Sequence, residues 1–259
     1  MKRTFFLRKM SHEGRPELRY RLGDTVLNDL LGQRLRLSFS GRIECMACGR
    51  SVKKTFNQGY CYPCFQKLAC CDSCILKPEL CHFRQGTCRE MRWGLENCLI
   101  DHLVYLSNTS GLKVGITRKH KKFERWGDQG AVAAVELARV PERFYAGLIE
   151  AALARQLADR TDWRALVRGE SARLDLAAER LRAIDLVPQE FQRYVLPESE
   201  VFEFVYPVIQ YPLKAVSWNP DKSGALEGEL QGIRGQYLIV DQKVINIRKY
   251  GGYEVTLET

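Results

Sequence analysis

The alternation of apolar and polar positions along this chain predicts strands at both ends and helices between them. Residues 103–117, LVYLSNTSGLKVGIT, read as two short strands joined by a polar turn. Val104, Leu106, Val114 and Ile116 are apolar β-formers, and Ser107-Asn108-Thr109-Ser110-Gly111 is turn chemistry. Leu35-Arg36-Leu37-Ser38-Phe39 alternates with the same period of two, and Ser40-Gly41 is expected to end it. Pro141-Glu142 marks a helix start. Behind it, Leu148, Ala152 and Arg155 share one line and Ile149, Leu153 and Leu157 the next. An Arg/Ala/Leu-rich helix is predicted over 174–186, stopped by Pro188. Strands return at 201–205, 235–240 and 244–248, with Asp241-Gln242-Lys243 as a turn. No internal repeat is visible.

The pattern gives an α+β protein in five segments. These are a β-rich stretch (1–44), a cysteine-rich module (45–98), a hairpin followed by helices (99–170), a helical connector (171–199) and a β-rich stretch (200–259). The two β-rich ends are expected to pack together, as a small barrel around the termini.

Composition narrows the class. With 259 residues and 45% hydrophobic content, the chain can bury a core and is globular rather than disordered. No apolar run approaches membrane-spanning length. The N-terminus, MKRTFFLR, is charged, and its apolar run is too short for a signal peptide. A bacterial-type cytoplasmic setting follows, in which thiols stay reduced, so ten cysteines point to metal rather than disulfides.

The cysteines fall into two sets. Cys45-Met-Ala-Cys48 and Cys61-Tyr-Pro-Cys64 are two C-x-x-C knuckles separated by twelve residues. Each knuckle offers two thiolates on one tight turn, and a pair supplies the tetrahedron that a structural zinc requires. Gly49 and Gly59 permit the bends. A redox C-x-x-C is the competing reading, but no thioredoxin-like βαβ pattern surrounds either pair. Cys71, Cys74, Cys81 and Cys88 form a second candidate quartet for zinc, with Cys70 or His82 as substitute ligands. Four cysteines also hold an Fe–S cluster, which is the less favoured occupant here. Cys98 is left over as a buried free thiol. Both sites are expected to be structural.

The formal charge of +9 is uneven. It amounts to +5 over 1–44, +4 over 45–98, +3 over 99–170 and −3 over 171–259. The basic excess accompanies the cysteines and the hairpin, and a phosphate backbone is the partner it fits, DNA before RNA.

The hairpin has chemical company. Tyr105 lies on the first strand, Gly115 on the second, Arg125 beyond it and Glu150 on a later helix. A tyrosine, an arginine and a carboxylate that binds a metal are parts suited to cutting a phosphodiester. Their order resembles the GIY-YIG nuclease superfamily over about residues 102–168, with Val104-Tyr105-Leu106 and Lys113-Val114-Gly115 standing for its two tripeptides. Val114 replaces the second tyrosine that many members carry. The Lys-Val-Gly motif and the stretch Asp159-Arg160-Thr161-Asp162-Trp163 are similar to a short, phage-type branch. The resemblance implies that Glu150 holds Mg²⁺ or Mn²⁺, that Tyr105 activates or orients a water, and that Arg125 binds the scissile phosphate. It further implies that Gly115 allows close approach and that Asp162 or Trp163 closes the site. Arg118, Lys119, Lys121 and Lys122 would line the approach of the backbone. His102 and His120 are candidate acids or bases, though such histidines are more often surface or satisfied groups.

The whole chain also resembles an uncharacterised bacterial family known only as a domain of unknown function. The match rests on GYCYPCF, ELCHFRQGTCRE, GLKVGITR, RWGDQGA and GQYLIVDQKVINIRK. It draws RWGDQGA into the site region, where Trp126 would stack on a base and Asp128 or Gln129 would bond it; core packing is the duller reading of Trp126. Two function classes follow. One is a metal-dependent nuclease that binds through its zinc module. The other is a zinc-stabilised binding or regulatory protein that no longer cuts. A redox or sensing Fe–S protein is a weaker third.

Overall fold

The computed structural model describes residues 2–157 and 162–259. In chain order, the N-terminal strands are β1 (Lys2–Phe6), β2 (Ser11–Glu13), β3 (Arg19–Leu22), β4 (Thr25–Val26) and β5 (Arg34–Ile43). The short helices α1 (Tyr62–Lys67) and α2 (Met91–Asn97) follow. The hairpin strands are β6 (His102–Asn108) and β7 (Leu112–Arg118), then come α3 (Lys122–Asp128), β8 (Ala133–Val140) and α4 (Arg143–Leu153). Next are α5 (Trp163–Val167), α6 (Leu176–Ile184), β9 (Val201–Glu203), β10 (Val216–Ser217), β11 (Ala225–Arg234), β12 (Tyr237–Val240), β13 (Lys243–Asn246) and β14 (Tyr253–Glu258). The chain is therefore α+β. No helix among the described residues is long and apolar enough to cross a membrane.

These elements form two compact units. The first comprises residues 1–65, 163–170 and 205–259; the second comprises 66–162 and 171–204. The cysteine-rich stretch is thereby divided: the two knuckles fall in the first unit and the remaining six cysteines in the second.

The first unit is built on a seven-stranded sheet of order β1-β14-β5-β11-β12-β13-β10, with β2, β3 and β4 as a smaller sheet. The chain's two ends meet here, because β1 pairs antiparallel with β14 from Lys2↔Glu258 to Phe6↔Glu254. Among the described residues the pairing runs from β1 to β10 without joining them, so the sheet is open rather than a closed barrel. Ser40-Gly41 does not end β5. The strand continues to Ile43, and Gly41 takes a φ of 89° where the register with β14 shifts between Tyr253 and Val255. The pair is a bulge, which bends the strand and keeps it in the ladder.

The second unit is a four-stranded antiparallel sheet of order β7-β6-β8-β9. The hairpin turn is tighter than its polar run suggests, since Ser107 and Asn108 still pair with Lys113 and Leu112. β6 is buried at all seven positions, so it is sandwiched on both faces. On one face Val104, Leu106, Val114 and Ile116 pack with Ile149 and Leu153 of α4 and with Leu176 and Ala183 of α6. On the other, Tyr105 meets Trp126, which also contacts Phe123, Phe202 and Phe204.

α4 is held at two points. Its first residue donates its backbone N–H to the Cys98 carbonyl at 2.8 Å. Farther along, Gly147 lets the turn at Pro78 and Glu79 lie directly on the helix: a Cβ there would sit 2.3 Å from the Glu79 nitrogen and 2.5 Å from the Pro78 carbonyl carbon. Gly147→Ala should therefore lower stability by about 1–3 kcal/mol, as expected for overpacking, although alanine is the better helix former. Thermal unfolding checks this; an unchanged or higher midpoint would show that the turn can move away.

Candidate functional site

Two constellations stand out, one in each unit. In the first unit, the Sγ atoms of Cys45, Cys48, Cys61 and Cys64 all lie within 4.8 Å of one another. Backbone geometry delivers them. Gly49 (φ 68°), Asn57 (44°), Gln58 (62°) and Gly59 (145°) take left-handed conformations that fold the knuckles back. The Met46 N–H donates to the Gly59 carbonyl at 2.7 Å and ties the two knuckles together. The Cys48 and Cys61 sulfurs are 3.8 Å apart. A tetrahedral ion with ~2.3 Å zinc–sulfur bonds needs an edge of about 3.8 Å. Burial pushes the Cys45 thiol up, but backbone N–H groups of Cys61, Cys48 and Ala47 more than offset this and hold it at about 6. Hydrogen bonding to the Cys61 thiol pushes Cys64 up, to about 12. Four such sulfurs this close cannot all ionise without a cation between them. The donors, spacing and electrostatics fit a metal such as zinc.

In the second unit, a cavity of about 270 Å³ lies along the edge strand β7. β7 contributes Thr117 and Arg118, α3 contributes Arg125, and α4 contributes Arg143 and Glu150. Arg143 and Glu150 are seven residues apart, two helical turns, so one face of α4 presents both. Glu150 feels the positive charge of Arg125, Arg143 and Lys113, yet burial outweighs them and pushes its carboxyl up to about 7. Among the described residues it forms no salt bridge, so three cations surround a carboxylate without closing on it.

Tyr105 stands behind this cavity. Its side chain is fully buried and does not line the opening. It pairs across the hairpin with Gly115, and its ring covers that residue: a Cβ at 115 would lie 2.7 Å from the tyrosine hydroxyl. Gly115 thus makes room for Tyr105 rather than for a ligand. The Gln129 amide nitrogen donates to the Tyr105 hydroxyl at 2.6 Å, while its oxygen accepts from the Arg125 guanidinium at 3.1 and 3.2 Å. Burial pushes the phenol up, so it stays protonated. The tyrosine and Gln129 therefore position Arg125.

Several other candidates sit differently from their sequence reading. Trp126 has no exposed surface and is packed among Tyr105, Phe123, Phe202 and Phe204, so it cannot stack on a base. Lys122 pairs with Glu136 at 2.5 Å and lies over the Phe123 and Phe202 rings, and Lys121 pairs with Glu124 at 2.7 Å. Both are engaged within the protein, whereas Lys119 and His120 are exposed. Arg118 keeps its place on the cavity wall, hydrogen-bonded to Asn97. His102 is buried, donates from Nδ1 to the Ile100 carbonyl at 2.7 Å, and is pushed down to about 4 by that burial, so it is neutral at physiological pH. Asp162 donates its backbone N–H to the Ser110 hydroxyl at 3.0 Å, and Trp163 stacks on Tyr237 in the first unit. Residues 159–161 lie outside the described residues.

The second cysteine set is also rearranged. Cys71 has its sulfur 4.0 Å from that of Cys70, and interaction with the Cys98 thiol pushes Cys81 down to about 6. Cys71, Cys74, Cys81 and Cys88 do not converge to the mutual spacing seen in the first quartet. Asp72, Cys74 and His82 do approach within 4.8 Å. However, Asp72 is held by Arg89 at 2.7 Å and the His82 Nδ1 by Thr87 at 2.8 Å.

Sequence reasoning missed Arg143. Its one signal was the seven-residue spacing from Glu150, with Gly147 between them on the same helix face.

The chain matches the model of a family described as "Protein of unknown function (DUF2797)" over residues 32–255, and it belongs to that family. No curated protein and no solved structure matches it.

Proposed function

We propose that this member of the DUF2797 family is a nucleic-acid-binding zinc protein whose β7 cavity hydrolyses phosphodiester bonds, in DNA before RNA. The observation that carries this reading is the lining of one cavity by Arg118, Arg125, Arg143 and Glu150. Three guanidiniums suit the charge of a phosphate and its transition state. Glu150 is the carboxylate that would hold Mg²⁺ or Mn²⁺, and such an ion supplies Lewis acidity and a more acidic bound water. Arg125, steadied through Gln129 and Tyr105, is the phosphate clamp whose geometry is fixed in advance. The GIY-YIG resemblance agrees with Arg125 and Glu150 meeting on one surface. It assigns Tyr105 a role at the water, whereas burial favours a positioning role for it here. Zinc in the Cys45 quartet folds its segment and takes no part in chemistry.

A second reading, a phosphate-binding or regulatory module without cleavage, is favoured by one observation: the tyrosine hydroxyl is sealed from the cavity. A panel of single-stranded, duplex, flap and branched DNA, together with RNA, separates the two when assayed with Mg²⁺, Mn²⁺ or chelator. Metal-dependent cleavage is the expected result. Binding without cleavage would select the second reading. Binding should weaken steeply as salt rises, because neutralised phosphates release counterions. Arg118→Ala should weaken it on all sequences alike and reduce the log–log salt slope by about 1. Binding that is undetectable at low salt would remove nucleic acid from the account.

A further inference from the structure

The seven-stranded sheet of the first unit ends at β1, which pairs with β14 on one side only. A cavity of about 470 Å³ lies against its free side. Residues 3–6 of β1 all line it, and residues 22–25, at the β3–β4 turn, line it from the smaller sheet. Successive residues of a strand turn their side chains to opposite faces, so four in a row share one void where it runs along the strand's edge.

The backbone of that edge is open. The Leu7 N–H donates to the Tyr253 carbonyl at 2.8 Å and continues the β1–β14 register, so the odd-numbered residues of β1 turn their N–H and C=O groups to β14. Those of Thr4 and Phe6 point the other way, to the edge where no strand among the described residues meets them. They offer a donor and an acceptor at alternate residues, the pattern that an added strand completes.

The side chains give the cavity its chemistry. Half-buried Phe5 and buried Leu22 are apolar, whereas Arg3 and Arg8 are exposed cations. Each arginine donates to a neutral oxygen, Arg3 to the Thr25 hydroxyl and Arg8 to the Met46 carbonyl, both at 3.2 Å. Neither forms a salt bridge among the described residues. Asp24 is the one carboxylate on the lining, so the cations outnumber it two to one.

We propose that β1 is the acceptor for an extended, acidic peptide of another protein, which adds to the sheet as an eighth strand. Its main chain pairs with Thr4 and Phe6, an apolar side chain packs on Phe5 and Leu22, and its carboxylates meet Arg3 and Arg8. Charge and backbone together select this occupant. A second copy of the chain would bring the same arginines to the same edge, and like charges across a strand pair are unfavourable. A nucleic acid would meet the N–H groups through its phosphates but would leave the Thr4 and Phe6 carbonyls facing anionic oxygens. The assignment is independent of what the β7 cavity does.

The test is fluorescence anisotropy of a short labelled peptide that alternates valine and glutamate, titrated with the full chain. Saturable binding is expected. Methylating the peptide's amide nitrogens keeps every charge and blocks strand pairing, and it should abolish binding; lysine in place of glutamate should do the same. Thr4→Pro removes an N–H that points away from β14, a position where an edge strand tolerates proline. It should weaken binding about tenfold, the effect of one or two backbone hydrogen bonds. Arg3→Glu, which alters no backbone group, should also weaken binding, and an unfolding midpoint close to wild type reports that each variant is folded. Four results overturn the proposal: no binding of the acidic peptide at low salt, equal binding of its methylated form, a wild-type dimer in sedimentation that Thr4→Pro dissociates, or displacement of the peptide by a single-stranded oligonucleotide.

Discussion

Glu150→Gln is expected to cut metal-dependent cleavage by at least ~100-fold while leaving nucleic-acid binding intact or tighter. Glutamine keeps the shape and removes the anionic ligand, so the ion would lose its anchor. Binding gains, because the negative charge beside the phosphate site is gone and Arg118, Arg125 and Arg143 remain. The same substitution has a second, independent readout. Burial raises the Glu150 carboxyl from 4.5 to about 7, so the folded state holds a proton that the unfolded state has released between those values. Metal-free stability at this site therefore falls as pH rises through that window. Glu150→Gln should be the more stable protein at pH 8, by about 2–3 kcal/mol, with the gain vanishing below pH 4.5. Added Mg²⁺ or Mn²⁺ should stabilise the wild type and not the variant. Cleavage that survives the substitution would remove Glu150 from the chemistry; a stability gain independent of pH would show that the carboxyl is not the cause.

The parts of this site that depend on local pattern were legible in the sequence. The hairpin followed from alternation around a polar turn, and its register set Tyr105 opposite Gly115. The helix carrying Glu150 followed from Pro141-Glu142 and the apolar lines behind it. What was hidden depends on distant partners. Trp126 stands in a run of charged and small residues that reads as exposed, but it is buried by Phe202 and Phe204, almost eighty residues later. Lys122 looked free because Glu136 and Phe202, which engage it, are also remote in sequence. β11 was obscured by Gly228 and Gly232, which weaken a strand pattern yet here admit Asp241 and Val208 at close range. β14 does alternate, with Tyr253, Val255 and Leu257 buried, but its partner β1 lies at the other end of the chain. Cysteine spacing identified the knuckles, since a C-x-x-C turn is a local motif. It does not reach as far for the second set, whose Cys71, Cys74, Cys81 and Cys88 do not come to the mutual spacing of the first quartet.

Stripping the metal from the knuckle quartet should unfold its segment and lower the stability of the first unit by several kcal/mol. Zinc binding to such thiolate sets is worth roughly 10–16 kcal/mol in apparent free energy near neutral pH, and it becomes folding free energy wherever the apo segment cannot hold itself. Residues 45–65 bury few side chains of their own. Cys45 and Cys61 are their only buried cysteines, and the surrounding backbone takes four left-handed residues, two of which are not glycine. The segment is also docked on the sheet. The Glu44 N–H donates to the Gly252 carbonyl at 2.8 Å, and Gly251 packs so closely that a Cβ would lie 2.3 Å from the Gln58 carbonyl oxygen and 2.7 Å from the Met46 sulfur. Loosening the knuckles therefore frees the turn between β13 and β14, and β14 pairs with both β1 and β5. Cys45→Ser should consequently yield protein with one zinc fewer, a lower unfolding midpoint and reduced solubility, and a strong chelator should reproduce this in the wild type. Metal release should accelerate as pH falls, because protons compete for the thiolates. A Cys45→Ser protein with unchanged metal content and an unchanged midpoint would mean that these four sulfurs meet without holding an ion.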